Sequence, residues 1–345
     1  MLGSPNFLRH IARMTGDPFS DVIRLVKAQS VMAGGLTAGG TWAIRFPAPD
    51  EIKLFALVKG RCWLHIDGED PFRLETGDIV LLAFKRGFIL ASDLTAMPID
   101  AWTLFAGGTV RTAKLGDSED CIQIGGHVRL DPVNGGLLAD LLPPLIHIRA
   151  GAPGAASLQW LLAALVREQA EELPGASLAS TQLAQLMFLQ ILRVYFQKSG
   201  PLPTGWLRAV TDRRLSAAIR LMHGEPGRPW RLDELARAAA MSRSAFAHYF
   251  KTVAGLAPLE YLTNWRMRLA ERELREGSMP VANLARSLGY GSESAFSNAF
   301  KRAMGQAPKR YRSAARTDAV RRFDGDPSGS AAGESDAGRL TLGAR

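Results

Sequence analysis

Two stretches of this chain, fifty residues apart, carry short polar side chains between aromatic ones: residues 242–251 and 292–301. In a helix the aromatic residues of each stretch fall on one side and the residues between them fall on the other. Hydroxyl, imidazole, amide and carboxylate groups presented in this way can hydrogen-bond to the polar edges of a partner. The outward positions are Ser244, Ala247 and His248 in the first stretch and Glu293, Ser294, Ser297 and Asn298 in the second.

Both stretches belong to a longer repeated unit. Leu235-Ala236-Arg237 matches Leu284-Ala285-Arg286 at an offset of 49 instead of 50, so the second copy has one residue inserted in its turn. Repetition at a fixed period indicates a duplicated structural unit. Each copy has the pattern of a helix, a turn and a second helix, at about 232–254 and about 281–304. We expect Ser242 and Ser292 to cap the second helices.

The repeat region also carries the positive charge of the chain. Residues 206–312 hold 19 Lys and Arg and 9 Asp and Glu, whereas residues 1–205 hold 18 and 19 and residues 313–345 hold 5 of each. Concentrated positive charge favours a polyanion such as double-stranded DNA, because binding releases counterions. A single copy could also be an ordinary helical hairpin, and the charge favours the DNA-binding interpretation.

Residues 208–312 resemble the DNA-binding domain of AraC/XylS transcription regulators. The resemblance rests on residues 235–251, 261–266 and 289–296 and on the closing Pro308 and Tyr311-Arg312. It implies two helix-turn-helix units at the ends of one linking helix, here residues 259–276, entering successive major grooves of DNA. The outward residues above would then contact bases. Phosphate contacts are expected from Ser242, Arg243, Lys251, Arg266, Ser292, Lys301 and Arg302.

The N-terminal half has a strand-like pattern. Short apolar runs alternate with turn residues between residues 31 and 124, which predicts a small barrel or sandwich. The predicted strands span residues 40–46, 52–58, 62–66, 78–82, 88–90 and 101–105.

This region resembles the cupin-type sensor domain fused to one branch of the same family, over most of residues 17–198. The resemblance rests on residues 42–47, 60–64, 74–82 and 141–148. It implies a barrel that responds to a small-molecule effector. The candidate lining of an apolar pocket is Trp42, Phe46, Phe55, Trp63, Phe84 and Phe88, and these aromatics could equally form the core.

The histidine pattern departs from that of metal-binding cupins. Phe55 and Phe88 stand where relatives often carry His, and the histidines present lack ligand-like spacing. We therefore expect no metal and no cofactor. The isolated histidines are His10, His65, His127 and His147.

Two cysteines, Cys62 and Cys121, raise a second sensor hypothesis, because some members of this branch respond to oxidants through thiols. A reactive thiolate needs a basic neighbour. Arg61 adjoins Cys62 in sequence, but consecutive side chains of a strand face opposite ways. Buried structural cysteines are the alternative.

Helical patterns flank the strands. We expect helices at 21–30 and 137–142, a turn-rich crossing at 125–136, and two longer helices at 156–173 and 180–198. The last is apolar on more than one face, which predicts burial on two sides. Pairing of two subunits through these helices is the interpretation that the resemblance suggests, and packing on the barrel is its alternative.

The expected fold class is α+β and multidomain, a cupin-like β-barrel with trailing helices followed by an all-α double helix-turn-helix domain. The predicted boundaries are an N-terminal arm at 1–20, the sensor domain at 21–199, a linker at 200–205, the DNA-binding domain at 206–312 with a bracing helix at 208–223, and a disordered tail at 313–345.

These features predict a sequence-specific transcription regulator, an activator that responds to a small molecule or stress. Its partners would be double-stranded DNA, RNA polymerase, an effector and a second copy of the chain. With no apolar leader or membrane span, we expect a cytoplasmic, non-enzymatic protein. The alternatives are an architectural DNA-binding protein without a ligand and a cupin enzyme with an appended DNA-binding domain.

Overall fold

The computed structural model describes residues 17–105, 112–171, 173–198 and 202–324. Two compact units are present, one built mainly from residues before 217 and one mainly from residues after it. The first contains two β-sheets and several helices, and the second is helical. This arrangement confirms the expected α+β fold class.

The strands of the first unit form two sheets that enclose its core. One sheet has the order β11-β6-β3-β10-β1-β9 and the other β5-β4-β7-β2-β8. The inward side chains of both sheets pack together, and Phe55, Leu64 and Phe88 are almost fully buried there. The strands are β1 Gln29–Ala38, β2 Ala43–Phe46, β3 Ile52–Lys59, β4 Arg61–Ile66, β5 Phe72–Glu75, β6 Ile79–Leu82, β7 Phe88–Ala91, β8 Ile99–Asp100, β9 Thr112–Leu115, β10 Cys121–Arg129 and β11 Leu145–Ile148.

Six helices accompany these strands in the described part of the first unit. The long helix α5 packs on both α4 and β1, which accounts for its two buried faces. Within the described residues, no helix has an apolar stretch long enough to cross a bilayer. The helices are α1 Pro18–Leu25, α2 Ala101–Leu104, α3 Gly136–Ala139, α4 Ala156–Glu171, α5 Ala176–Lys198 and α6 Trp206–Thr211.

Several elements of this unit differ from the sequence-based expectation. The strand expected at residues 101–105 is instead the short helix α2, which ends at Leu104. The Asp100 carboxylate caps this helix by accepting a hydrogen bond of 2.7 Å from the Trp102 N–H. The expected turn-rich crossing at 125–136 begins as strand, since residues 125–129 belong to β10 and Gly125 and Gly126 pair with both β1 and β3; the turns follow at 132–135. Their pairing comes from the two neighbouring ladders and has no side-chain signal in the sequence.

The N-terminal helix begins earlier than expected. Asp17 caps it by accepting from the Ser20 N–H at 3.0 Å, and Pro18 occupies its first turn. Residues 17–20 therefore belong to a folded element and not to a loose arm; residues 1–16 lie outside the described residues. Ser30, expected in this helix, is already in β1.

Helices make up the second unit. The linking helix α10 begins one residue before its predicted start and ends at the predicted residue. Its Trp265 ring stacks on His223 of α7 at 3.9 Å, and the His223 Nε2 lies 2.9 Å from the Tyr261 hydroxyl of α10. The helices are α7 Ser216–Gly224, α8 Leu232–Ala238, α9 Arg243–Ala254, α10 Pro258–Glu276, α11 Val281–Ser287, α12 Glu293–Met304 and α13 Pro308–Asp324.

Two boundary expectations around this unit are wrong. The bracing helix at 208–223 is two helices, because the Asp212 carboxylate accepts from the N–H groups of Arg214 and Leu215 and turns the chain. Residues 313–324 of the expected disordered tail continue helix α13. The remainder of that tail, and residues 199–201 of the linker region, lie outside the described residues.

The turns of the two repeats have the same backbone path. Ala240 has φ +53° and the Met241 N–H donates to Ala236 O at 2.9 Å; Gly289 has φ +81° and the Tyr290 N–H donates to Ala285 O at the same distance. The first repeat thus places an alanine in the left-handed conformation that glycine prefers.

We predict opposite effects for exchanging these residues. Ala240→Gly should raise the free energy of unfolding by about 0.5–1 kcal/mol, because it removes the left-handed strain. Gly289→Ala should lower it by about 1–3 kcal/mol. There the added Cβ would also lie 2.2 Å from Gly227 O.

Urea unfolding of the full-length protein measures both changes. Gly291→Ala is the control, since a Cβ at Gly291 meets nothing within 4 Å. An Ala240→Gly protein less stable than the wild type would contradict this account of the turn.

Candidate DNA-binding interface

The first helix-turn-helix unit is α8, the turn and α9. The Glu234 carboxylate accepts from the Arg231 N–H at 2.9 Å and fixes the start of α8. Ser242 accepts from the Ala245 N–H at 3.3 Å, in the geometry of an N-cap. The predicted span of this unit, about 232–254, coincides with the observed helices.

The second unit, α11, the turn and α12, follows the same plan. Ser292 caps α12 by accepting from the Ala295 N–H at 3.1 Å. Because Gly289 and Tyr290 repeat the turn geometry of Ala240 and Met241, the inserted residue is Gly291. The insertion lies after the turn and leaves the backbone path of the turn unchanged.

Phenylalanine pairs fix which side of each second helix faces solvent. Phe246 and Phe250 of α9 and Phe296 and Phe300 of α12 are fully buried. The residues predicted to contact bases therefore lie outward. Ser244, His248, Ser294 and Asn298 are exposed, and Ala247, Glu293 and Ser297 are half-buried.

The two outward faces are unlike in chemistry at equivalent positions. Arg243 opens α9 where Glu293 opens α12, and His248 stands where α12 carries Asn298. The Glu293 carboxylate pairs with the ammonium of Lys309 at 3.3 Å, which partly neutralises the acid on this face. Sequence reasoning missed Lys309; its place one residue after Pro308, in the first turn of α13, was the available signal.

Most of the predicted phosphate ligands are exposed at the same surfaces. Arg243, Lys251, Lys301 and Arg302 all lie outward. Arg266 does not fit that expectation. Its guanidinium donates to Pro226 O at 2.5 Å and Arg228 O at 2.9 Å, and burial lowers its pKa.

The aromatic residues predicted to line a pocket in the first unit occupy different places. Trp42, Phe55 and Phe88 are packed in the core. Trp63 lies on the outer side of β4, opposite the buried Cys62 and Leu64, so the lining prediction is wrong for it.

Phe46 and Phe84 are half-buried, and each packs against the core and borders a cleft. Phe46 lines a cleft between the sheets. Phe84 lines a separate cleft near α3.

The two cysteines meet inside the barrel. Cys62 and Cys121 are both buried and reduced. A hydrogen bond with Cys121 raises the pKa of the Cys62 thiol, and burial raises it further. The geometry favours the structural interpretation for Cys62, and the oxidant-sensing hypothesis stays a prediction.

Two histidines of the first unit lie beside different carboxylates. His147 Nε2 lies 2.9 Å from the Asp78 carboxylate, and His127 Nε2 lies 3.2 Å from that of Glu51. Throughout the described ranges, no three His, Cys, Asp or Glu side chains converge as a metal site would require. His10 lies outside these ranges.

Known sequences divide the chain in the same way. Residues 17–197 match the sequence model of a family described as Cupin, and residues 235–314 match one described as Helix-turn-helix domain. A cupin domain followed by two helix-turn-helix units defines a sequence-specific, DNA-binding transcription regulator.

Relatives identify the family. The chain is 42% identical to an AraC-like transcription regulator of Streptomyces antibioticus, over 86% of this chain and 98% of that protein. It is 30% identical to the HTH-type transcriptional regulator AlkR of Acinetobacter baylyi, over 79% and 91%. It is 27% identical to the RCS-specific HTH-type transcriptional activator RclR of Escherichia coli K12, over 86% and 97%. The chain belongs to the AraC-like transcription regulators.

We predict that two outward residues of α12 differ in what they contribute. Asn298→Ala should relax the preference at one base pair, because an amide pairs with a base edge. The free energy of binding to the preferred site should become about 1–3 kcal/mol less favourable. Lys301→Ala should weaken binding to all DNA sequences alike and reduce the salt dependence of the affinity, because it removes a phosphate contact.

Titration of the full-length protein with preferred and altered DNA sites at several salt concentrations measures both effects. Gln29→Ala, which removes an exposed amide from the start of β1, is the control and should change neither. If both variants lost the same affinity for every DNA sequence, this division of base and phosphate contacts would be wrong.

Proposed function

We propose that this protein is a cytoplasmic transcription activator that binds a two-part DNA site as a homodimer and responds to a small molecule in its cupin domain. The proposal of a two-part DNA site rests on the difference between the outward faces of α9 and α12. Arg243 and His248 of α9 stand at the positions that Glu293 and Asn298 occupy in α12. Each subunit should therefore recognise two different short DNA elements. The DNA read by one subunit is then a pair of unlike elements and not a palindrome.

Activation is supported by the name of the Escherichia coli relative, a transcriptional activator. A bound activator would contact RNA polymerase, and no catalytic step is required of the cupin domain. The effector is either a molecule bound between the sheets or an oxidant acting on Cys62 and Cys121.

The test is selection of binding sites from random DNA by the full-length protein, followed by transcription in vitro with purified RNA polymerase. We expect two unlike elements about one helical turn apart, and increased transcription from a promoter that carries them. Selection with and without reductant separates the two effector classes, since a motif found in one redox state alone would implicate the cysteines. Tight, salt-sensitive binding without an enriched motif would contradict the proposal and favour an architectural protein.

Dimerisation is supported by apolar side chains exposed on the helices that follow the barrel. Trp160 of α4 is 64% exposed, and Leu178 and Leu186 of α5 are 67% and 40% exposed. Large apolar side chains exposed on two helices that pack together are typical of protein contacts. The rest of α5 packs on α4 and β1, so these residues remain for a second copy.

We predict that the protein sediments as a dimer at micromolar concentration and that Leu178→Glu with Leu186→Glu gives monomers, because the charges would be buried in the interface. Met97→Glu adds a charge at a residue that is 88% exposed and belongs to neither helix, and it should leave the dimer intact. A wild-type monomer in analytical ultracentrifugation at this concentration would exclude the homodimer.

A further inference from the structure

A cleft of about 280 Å³ lies between the two sheets near the start of β3. Part of its lining is bare backbone, since Gly34 of β1 and Gly125 of β10 are register partners and both face it. β1 also changes register between Met32 and Gly34. Such bulges are common beside binding sites. The missing side chains leave room for a ligand.

Aromatic rings form the apolar part of the lining. Phe46 stacks on the core residue Phe88 with ring centroids 4.8 Å apart, and Phe105 lies 6.4 Å from Phe46. Trp102 borders the cleft with 70% of its surface exposed. This lining suits an apolar body of modest size.

Lys53 places a cation in the same cleft. On β3 it extends the inward row of Phe55 and Leu57, which are in the core. Burial lowers the pKa of the Lys53 ammonium. Within residues 17–105, 112–171, 173–198 and 202–324, no carboxylate forms an ion pair with it.

The nearest acidic residue in sequence is already engaged. The Glu51 carboxylate lies 3.2 Å from His127, the cross-strand partner of Lys53, and 3.1 Å from Arg129. Lys53 is therefore a half-buried amine that faces an apolar cleft without a counter-ion in the described chain. Such a group is stabilised in its charged form by an incoming anion.

Gln123 adds a polar group beside Lys53. It is 8% exposed and lines the cleft next to Gly125. Its side-chain amide has no hydrogen-bond partner among the residues that the structure describes. This amide reaches the cleft without a partner, so its N–H groups are available to a ligand oxygen.

These features define the chemistry of the occupant. We propose that the cleft binds a small organic monocarboxylate with an apolar body. The carboxylate pairs with Lys53 and accepts from the Gln123 amide, while the body contacts Phe46, Phe105 and the glycine backbone. A sugar would find too few polar partners here, and inorganic phosphate would leave the aromatic lining unused. The assignment of this ligand as the effector rests on the proposed function; its binding does not.

The test uses the full-length protein and two probes of nearly equal shape, 2-naphthoate and its neutral amide, 2-naphthamide. We expect 2-naphthoate to bind in calorimetry with one site per chain and at least about tenfold more tightly than the amide, because the ion pair and charged hydrogen bond are lost with the amide. Lys53→Met should remove that preference, and Lys53→Arg should retain most of it.

Lys59→Met is the matched control, because Lys59 lies exposed at the other end of the same strand. It should leave the affinity for both probes unchanged. Thermal melting of each variant shows whether it is folded, and Lys53→Arg keeps the test valid if Lys53→Met is not.

Three results would overturn the proposal. They are equal affinity for the acid and the amide, an unchanged preference in folded Lys53→Met, and no binding of 2-naphthoate at about 1 mM, a concentration that reveals even weak sites. Sequence-specific DNA binding, measured separately, distinguishes this failure from failure of the proposed function. If the protein selects a DNA sequence but does not bind the probe, the proposed function is supported and the carboxylate site is excluded.

Discussion

Burial of two phenylalanine pairs is the constraint on which the DNA-binding unit depends. Phe246 and Phe250, and likewise Phe296 and Phe300, are spaced four residues apart and are fully buried. A shift of the apolar stripe by one residue would rotate each helix by about 100° and turn its outward residues inward. Removing one such ring costs about 3–5 kcal/mol. The burial therefore fixes the face that each helix presents.

The same constraint explains why the two faces can differ. Positions facing the core are matched between the copies, whereas outward positions are less constrained by packing and differ, with Arg243 at the position of Glu293 and His248 at that of Asn298. The turn tolerates Ala240 in one copy and Gly289 in the other because the left-handed conformation costs alanine only about 1–2 kcal/mol. The outward side chains of a repeat can thus differ while its fold stays the same.

The sequence predicted the helical repeats well because their signal is local: periodic apolar residues, a serine cap and a glycine. It predicted the barrel less well. Gly125 belongs to a strand through pairing with residues far along the chain, and Trp102 belongs to a helix through one cap from Asp100. Arg266 looked like a phosphate ligand because its carbonyl partners are 38 and 40 residues away. Lys53 gave no signal in the sequence. Its proposed role depends on the absence of a carboxylate partner among the described residues, and only the fold shows that absence.

An exchange of outward faces tests the central claim most directly. Glu293→Arg, Ser297→Ala and Asn298→His together give α12 the outward residues of α9, since Ser294 already matches Ser244. Binding-site selection should then return two similar elements, with the element read by α9 unchanged and the other converted to it. An unaltered motif from the folded variant would contradict the claim that these side chains select the DNA sequence.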